Sequence, residues 1–483
     1  MFWRGVLGYL PVNIVQGLVG LLTIYAFTRL LTPDQYGHYA LALSVVMLVH
    51  TLTFTWLEAA MARFQPREAA GGNLAHHFAT IYRAWFVLAA ALGVIAVTLL
   101  LVLPLEQPLK LALAFGLVAT FAKGLVRLAQ EHRRAAGRVA SAAAVDMITT
   151  AGGFAAGVAL AALGLGGAAP MAGMAAGFAV CMVWVLPSEM KLMKGGKFEA
   201  ARVGDYAGYG LPLAGSLILA LVLSTTDRFL LAGFLNEQSV GVYHAGYSLA
   251  NRTLDVMFIW LGSAAGPAAV AALEFGGRAE LERTAREQAS FMLLLTLPAA
   301  AGLALVSHPL CQVLIGESLR EGAAQVTPWI AASGLFAGLT TYYFHTAFTL
   351  GKATRLLLAA MAIPAIANVI LNIVLIPRFG VMGAVWATAA SYALGLVASA
   401  ILGRRAIALP IPWDTLARAG LATAVMVPAV MLVPAFGGFG ELIAKACVGA
   451  AVYAITVLML DAGGARGQLT RVRGALQSRL APG

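Results

Sequence analysis

Charged residues are sparse along this chain and gather in clusters, and between the clusters lie long apolar runs. Fourteen runs approach or reach the length a helix needs to cross a ~30 Å hydrocarbon layer: residues 5–28, 37–57, 84–105, 111–128, 139–163, 168–187, 207–231, 240–263, 289–306, 326–350, 356–376, 379–403, 419–436 and 446–460. Lipid offers no partner to an unpaired backbone N–H or C=O, so runs of this kind read as helices, which satisfy those groups within the segment. The fourth and the last run are short. The first is too long for a secretory leader and lacks an A-x-A cleavage site, so it is expected to remain as the first span.

The links between runs are short, and two of them carry readable starts. Thr32-Pro33-Asp34-Gln35 has a capping residue, a proline at the first helical position and a glutamine placed to close a capping box. Asn236 followed by Glu237 is a second start, a cap plus an acidic residue favoured by the helix dipole. The two links resemble each other. Arg29 precedes Gly37, Tyr39 and Ser44, and Arg228 precedes Gly241, Tyr243 and Ser248, with glycine, tyrosine and serine at the same relative positions. Both join an odd-numbered span to an even-numbered one. The pattern predicts an all-α polytopic membrane protein of about fourteen transmembrane helices: two six-helix lobes related by a parallel repeat, plus two C-terminal helices. The expected divisions are 1–203 for helices one to six, 204–405 for helices seven to twelve, 406–462 for helices thirteen and fourteen, and 463–483 for a basic tail along the cytoplasmic leaflet. A repeat of this kind places a substrate site between lobes near the midplane.

Composition sharpens the picture. Hydrophobic residues make up 60% of the 483, and only 11% are charged, against about 25% in soluble domains. The 32 lysines and arginines sort by side. Arg29, Lys110, Arg228, Arg320, Arg378 and Lys445 fall on one face, Arg252 falls inside a span, and the remainder fall on the other face. The positive-inside rule therefore puts both termini in the cytoplasm. The net charge of +11 is mostly a topology signal, and no basic-aromatic pattern points to nucleic acid. Cys181, Cys311 and Cys447 share no metal-ligand spacing, and no metal or cofactor is expected. Gly351-Lys352 lacks the upstream glycine of a phosphate-binding loop and is followed by Ala353, so ATP hydrolysis is not expected. The outer loops, the longest at 307–325, hold no acidic pair at useful spacing, which disfavours a membrane glycosyltransferase, polymerase or ligase.

Three segments carry a family likeness: Arg29-Leu-Leu-Thr-Pro-Asp-Gln-Tyr-Gly-His-Tyr39; Asp227-Arg-Phe-Leu-Leu231 with Val240-Gly-Val-Tyr243; and Asn368-Val-Ile-Leu-Asn372 with Ile376-Pro-Arg-Phe-Gly380 and Gly383-Ala384. They resemble the polysaccharide transporter family of O-antigen and exopolysaccharide flippases, within the multidrug/oligosaccharidyl-lipid/polysaccharide exporter superfamily. With the fourteen-helix plan the likeness covers essentially the whole chain. The resemblance implies alternating access, in which an undecaprenyl-diphosphate-linked oligosaccharide crosses from the inner to the outer leaflet of the cytoplasmic membrane. It also implies that 419–460 forms an apolar groove for the lipid tail. A polysaccharide polymerase and export proteins would be partners. The alternatives are a cation-coupled multidrug antiporter of the same superfamily, which would want acidic cavity residues, and a lipid II flippase.

A charge at the centre of a span costs roughly 2.5–3.5 kcal/mol on insertion scales, so it faces a partner or a wet cavity. Arg252 and Asp255 lie three residues apart on one helical face. They read either as a self-neutralised pair or as a cationic wall for the diphosphate with Asp255 holding the arginine. Arg228 and Arg29 break the charge rule, which favours a diphosphate role over snorkelling to the surface; the planar guanidinium suits two oxygens at once. Asp227 would then pack into its lobe. Asp146, alone in the fifth span, and Glu58, near the inner end of the second, are candidates for proton or cation exchange, with an interfacial position the plainer reading of Glu58. His50 and His345 read as packing residues. Asn13 and Gln16, and Asn368 and Asn372, form polar pairs for helix–helix hydrogen bonds or sugar hydroxyls.

Overall fold

The computed structural model describes residues 2–467, with side chains described for all of these except residues 2–14, 139 and 264. The basic stretch beyond residue 467 and the side chain of Asn13 lie outside the described residues. The described chain is entirely helical: α1 Phe2–Leu30, α2 Pro33–Thr53, α3 Thr55–Ala70, α4 Leu74–Val102, α5 Gln107–Ala135, α6 Val139–Met147, α7 Gly153–Ala162, α8 Ala169–Leu192, α9 Ala200–Phe234, α10 Glu237–Leu305, α11 Ser307–Leu314, α12 Glu317–Leu339, α13 His345–Leu350, α14 Thr354–Ala406, α15 Trp413–Met431 and α16 Gly438–Leu460. Single π-helical turns, Ile148–Gly152 and Thr340–Phe344, join α6 to α7 and α12 to α13.

All fourteen expected spans fall on helix within a few residues. Ten helical stretches among the described residues are long and apolar enough to cross a membrane, and two of them each hold two spans. Gly277 (φ 70°, ψ −163°) breaks α10, and Gly380 (φ 58°, ψ −138°) breaks α14. Both angles lie in a region essentially reserved for glycine, so these two residues set where the chain reverses. The 307–325 stretch, read from sequence as a loop, is instead the short helix α11 and the first turns of α12. The second span runs on past its expected end as α3, after a one-residue break at Phe54.

The chain divides into two compact units, 1–245 with 376–381, and 246–375 with 382–483. In the first, a core of Phe54, Leu57, Met61, Phe78, Tyr82, Trp85, Leu128 and Tyr206 is packed between α3, α4, α5 and α9. Small residues let α7 and α8 touch backbone to backbone: a Cβ on Gly173 would sit 2.3 Å from the Gly157 nitrogen. Without a hydrophobic drive between helices in lipid, such close packing is what holds them together. In the second unit Leu261, Ala285, Met292, Tyr343 and Leu409 form the core. There the Tyr343 hydroxyl donates to the Pro410 carbonyl, and the Tyr453 hydroxyl donates to the Leu294 carbonyl at 2.7 Å. Large apolar side chains that face outward, such as Val94, Leu101 and Val102 on α4 and Ile455 and Met459 on α16, make the surface one that suits lipid rather than water. The protein is a multi-pass inner-membrane protein.

Gly380→Ala is expected to cost roughly 1–3 kcal/mol through backbone strain. It should lower the thermal midpoint in detergent, while Gly215→Ala, whose new methyl would meet nothing within 4 Å, should leave it unchanged. Equal midpoints for the two variants would contradict the assignment of the reversal to Gly380.

Candidate functional site

The start of α2 forms as its sequence dictates. Thr32 Oγ1 accepts from the Gln35 backbone N–H at 3.3 Å, and Gln35 Oε1 accepts from the Thr32 N–H at 3.1 Å, closing the box over Pro33. At the start of α10, Asn236 Oδ1 accepts from the Ser239 N–H at 2.9 Å. These two capped ends cross each other. A Cβ on Gly37 would sit 1.9 Å from the Glu237 carbonyl oxygen, and one on Gly241 would sit 2.3 Å from the Pro33 carbonyl oxygen. Each glycine therefore rests on the backbone of the residue four positions before the other. The two sequence-matched segments meet as a reciprocal, two-fold contact.

Beside this crossing lies the charged pair of α9. Asp227 is fully buried and accepts a hydrogen bond from the Tyr243 hydroxyl at 2.5 Å. Arg228 is buried as well. Its Nε donates to His244 Nδ1 at 3.2 Å, it also donates to the Ser224 carbonyl, and its guanidinium carbon lies 5.9 Å from the Tyr243 ring centroid. Arg228 thus does not snorkel. His244 packs against Tyr36 and Tyr39 at 5.5 and 5.8 Å, and Tyr39 against Phe27 at 6.0 Å. The result is a cation held in an aromatic shell drawn from α1, α2, α9 and α10. Sequence reasoning missed His244, although its position directly after Tyr243 of the repeat motif was the available signal. Arg29 sits apart from this shell in character: it is exposed, stacks 3.8 Å from the Tyr25 ring centroid and donates to the Tyr25 carbonyl at 3.0 Å.

Three expectations about charges inside spans are revised. Arg252 and Asp255, in the second unit, form no ion pair within 4.0 Å among the described residues. Asp255 accepts instead from Asn251 Nδ2 at 2.6 Å, leaving Arg252 exposed on its helix. Asn251 is four residues before the carboxylate on the same face and outcompetes the arginine at spacing three. Asp146 is not alone. It is buried at 4% exposure and takes Gln130 Nε2 at 2.9 Å, Arg134 Nη2 at 3.0 Å and Arg127 Nη1 at 3.8 Å, all from α5. Glu58 is no free interfacial carboxylate, since His50 Nε2 lies 3.0 Å from its Oε1. Asn368 and Asn372 are fully buried on α14, and Asn372 Nδ2 donates to the Asn368 carbonyl at 2.8 Å. Gln16 is exposed on α1. His345 packs with its Nε2 3.4 Å from Ser399 Oγ.

Two clusters went unread in the sequence. Glu189 on α8 is 2% exposed, with Arg133 Nη1 at 3.2 Å and the Tyr82 hydroxyl donating at 3.1 Å. Arg202 donates to Glu68 and to Glu199, tying the link between α8 and α9 to α3. The Arg202 hydrogen bond holds the Glu199 carboxyl below its ordinary range. Among the described residues no group of histidines, cysteines and carboxylates is arranged to hold a metal ion.

The fold is that of a helical, multi-pass membrane protein. The family described as "Polysaccharide biosynthesis protein" matches residues 26–323, more than half of the chain, and the chain belongs to that family. Among solved structures, the lipid II flippase MurJ in an inward closed conformation superposes with a TM-score of 0.77 at 14% identity, covering 94% of this chain and 99% of that one. An inward-facing multidrug resistance MATE family transporter of the MOP superfamily gives 0.61 at 15% identity, covering 83% and 97%. The MATE transporter VcmN of Vibrio cholerae gives 0.54 at 16% identity, covering 84% and 95%. The chain shares the fold of these structures. No curated protein matches the sequence.

Gly37→Ala and Gly241→Ala each force a methyl into opposing backbone, which cannot swing aside as a side chain can. Each is expected to cost about 1–3 kcal/mol and to lower the thermal midpoint in detergent. Unchanged midpoints in both would show that the crossing does not persist in the membrane-extracted protein.

Proposed function

We propose that this protein is a flippase. It carries undecaprenyl-diphosphate-linked oligosaccharide repeat units from the inner to the outer leaflet by alternating access, for the assembly of a surface polysaccharide. The observation that carries the reading is membership of a polysaccharide biosynthesis family by a chain whose described residues are almost wholly membrane helix. A catalytic step in glycan assembly at the membrane would want acidic outer loops, and the sequence offers no acidic pair at useful spacing there. A lipid-linked intermediate needs instead a helical path whose outer surface is lipid and whose polar groups receive a headgroup.

In this reading Arg228, Arg252 and Arg29 supply the cations for the diphosphate. Arg228 is already oriented by His244 and the Ser224 carbonyl, so less rotamer freedom is lost when it binds oxygen. Arg252, exposed on its helix, is the guanidinium that meets an incoming ligand at the lowest cost. The aromatic faces around Arg228 suit sugar rings. Asp227 and Asp146 position their arginine, tyrosine and glutamine neighbours, and Asp255 orders Asn251. Asn13, Gln16, Asn368 and Asn372 are left to packing or to sugar hydroxyls. The two lobes correspond to spans one to six and seven to twelve, with both termini in the cytoplasm, and a polymerase and export proteins act on the delivered unit.

Deletion of the gene is expected to abolish the surface polysaccharide and to accumulate lipid-linked repeat units on the inner leaflet, read by mass spectrometry of extracted lipids. Lysis from failed wall synthesis would point instead to lipid II, and altered drug sensitivity with normal polysaccharide to a multidrug exporter. Arg252→Ala is expected to lower export about tenfold or more at unchanged protein abundance, since hydrogen bonds to charged groups contribute ~1.5–3 kcal/mol. Arg228→Ala is expected to lower it similarly, with Arg228→Lys recovering little because a point charge cannot reproduce the fork. Normal surface polysaccharide in Arg252→Ala and Arg228→Ala would remove the cationic role.

A further inference from the structure

We propose that His50 and Glu58 form a proton-binding site across the break between α2 and α3, and that the proton held there is the ion to which transport is coupled. The proposal rests on reading the chain as a transporter, and deepens that reading by naming the coupling ion and its seat.

The argument begins with the partners of the carboxylates inside the spans. Asp146 is met by Arg127, Arg134 and Gln130, Glu189 by Arg133 and Tyr82, Asp227 by Tyr243 and Asp255 by Asn251. None of those partners changes charge near neutral pH. Glu58 is met by an imidazole, the one side chain whose ordinary titration falls in the physiological range. His50 is 6% exposed, and its second ring nitrogen, Nδ1, is buried with no hydrogen-bond partner. The pair is fenced on the α5 side by Lys123, Arg127 and Glu131, whose charges act on it. Loss of the imidazolium proton therefore leaves a carboxylate that still faces Lys123 and Arg127.

Position gives the site its consequence. On an unbroken helix residues eight apart lie ~12 Å apart along the axis. His50 ends α2 and Glu58 stands in the first turn of α3, and their side chains reach back over the intervening break. At the break the ladder tightens: the Phe54 carbonyl accepts from both the Leu57 and Glu58 N–H groups, at 3.0 and 3.2 Å. Phe54 itself is pinned. It is fully buried, stacks on Trp85 at 5.5 Å, and with Trp85 closes the space over Gly124, where a Cβ would meet Trp85 Nε1 at 2.6 Å and Phe54 Cδ2 at 3.3 Å. A pinned pivot with a bond bridging it is a hinge with a strap. When the imidazole is protonated, an imidazolium and a carboxylate clasp the two arms. When the proton leaves, the clasp weakens to a neutral–anion contact and the arms are freer to bend about Phe54. One proton is taken up on a histidine nitrogen and one is released from it, and no other bond changes.

The test measures the angle without any substrate. Spin labels are placed at Met47→Cys and Ala62→Cys, exposed positions on either side of the break, in a Cys447→Ser background and in lipid nanodiscs. The inter-label distance distribution is expected to shift as pH is lowered from neutral into the acid range, where an imidazole gains its proton. The shift is expected to vanish in His50→Asn, His50→Gln and Glu58→Gln; three variants are used so that failure of one to fold leaves the others. The same variants are expected to lose export at least tenfold in cells. Absence of a pH-dependent shift in the parent, or its persistence in any folded variant, overturns the proposal. The distance measurement stands whether or not the chain moves a glycan. The deletion phenotype, in turn, tests the flippase reading whether or not the hinge responds to protons.

Discussion

A hydrocarbon layer supplies neither hydrogen-bond partners nor counter-ions, and that constraint shapes this protein at every level. The backbone answers it with helix throughout the described residues. The side chains answer it one charge at a time. Asp146 takes two arginines and a glutamine from α5, Glu189 takes Arg133 and Tyr82, and Glu441 near the start of α16 takes Lys445 and the Gly437 N–H. Breaking such a pair leaves a buried charge uncompensated, which costs far more than the pair contributes. Partnered charges are therefore structural by default. A functional charge is expected where the partner is exchangeable, as at His50–Glu58, or where the ion is left on the surface, as at Arg252.

The same solvent explains why glycine organises the helices. Lipid does not drive apolar side chains together, so association relies on close contact. At Gly173 against Gly157, and at Gly37 against Glu237, the contact is backbone on backbone. The second case also arranges the aromatic shell around Arg228. Because the α2 and α10 ends cross so closely, Tyr36 and Tyr39 from one come within ring-packing distance of His244 on the other. The two sequence-matched segments thus pack the Arg228 guanidinium among their aromatic rings.

Much of this was legible in the chain. Span positions followed from apolar length, because a run that must cross lipid has little freedom to be anything else. The Thr32 capping box and the Asn236 cap followed from local chemistry that involves only neighbours. The reversal inside α10, at Gly277, fell in the gap the sequence left between spans, while the one inside α14, at Gly380, fell just inside the expected twelfth span; each uses a glycine. The partners of Asp146 were not legible, because Arg127 and Arg134 belong to another helix and reach it only after the turn at Gly137. Periodicity names a face but does not say what lies opposite. The expected Arg252–Asp255 ion pair did not form, for a different reason. Two residues on the same face compete for one carboxylate, and Asn251 at spacing four prevailed over the arginine at spacing three. The helix α11 was missed because eight residues are too few for a span signal, yet it packs against α16, where Gln312 accepts from the Gly438 N–H at 2.8 Å.

The remaining step joins the proposed diphosphate site to the proposed hinge. Arg228 is held among groups on α1, α2, α9 and α10, and α2 is the helix whose last turn carries His50. A change of angle about Phe54 alters the direction of the whole α2 rod, and Tyr36 and Tyr39 ride on that rod. Their rings are in contact with His244, which orients the Arg228 guanidinium. Under the two proposals, a proton at one end of α2 and an anion at the other would act on the same rigid element. Two ligands that favour different positions of one element are coupled by thermodynamic necessity, and each changes the affinity for the other by the same factor. No wire of intermediate residues is required beyond the helix itself, which is stiff over the stretch from Pro33 to Thr53 because its backbone groups have no alternative partner in lipid.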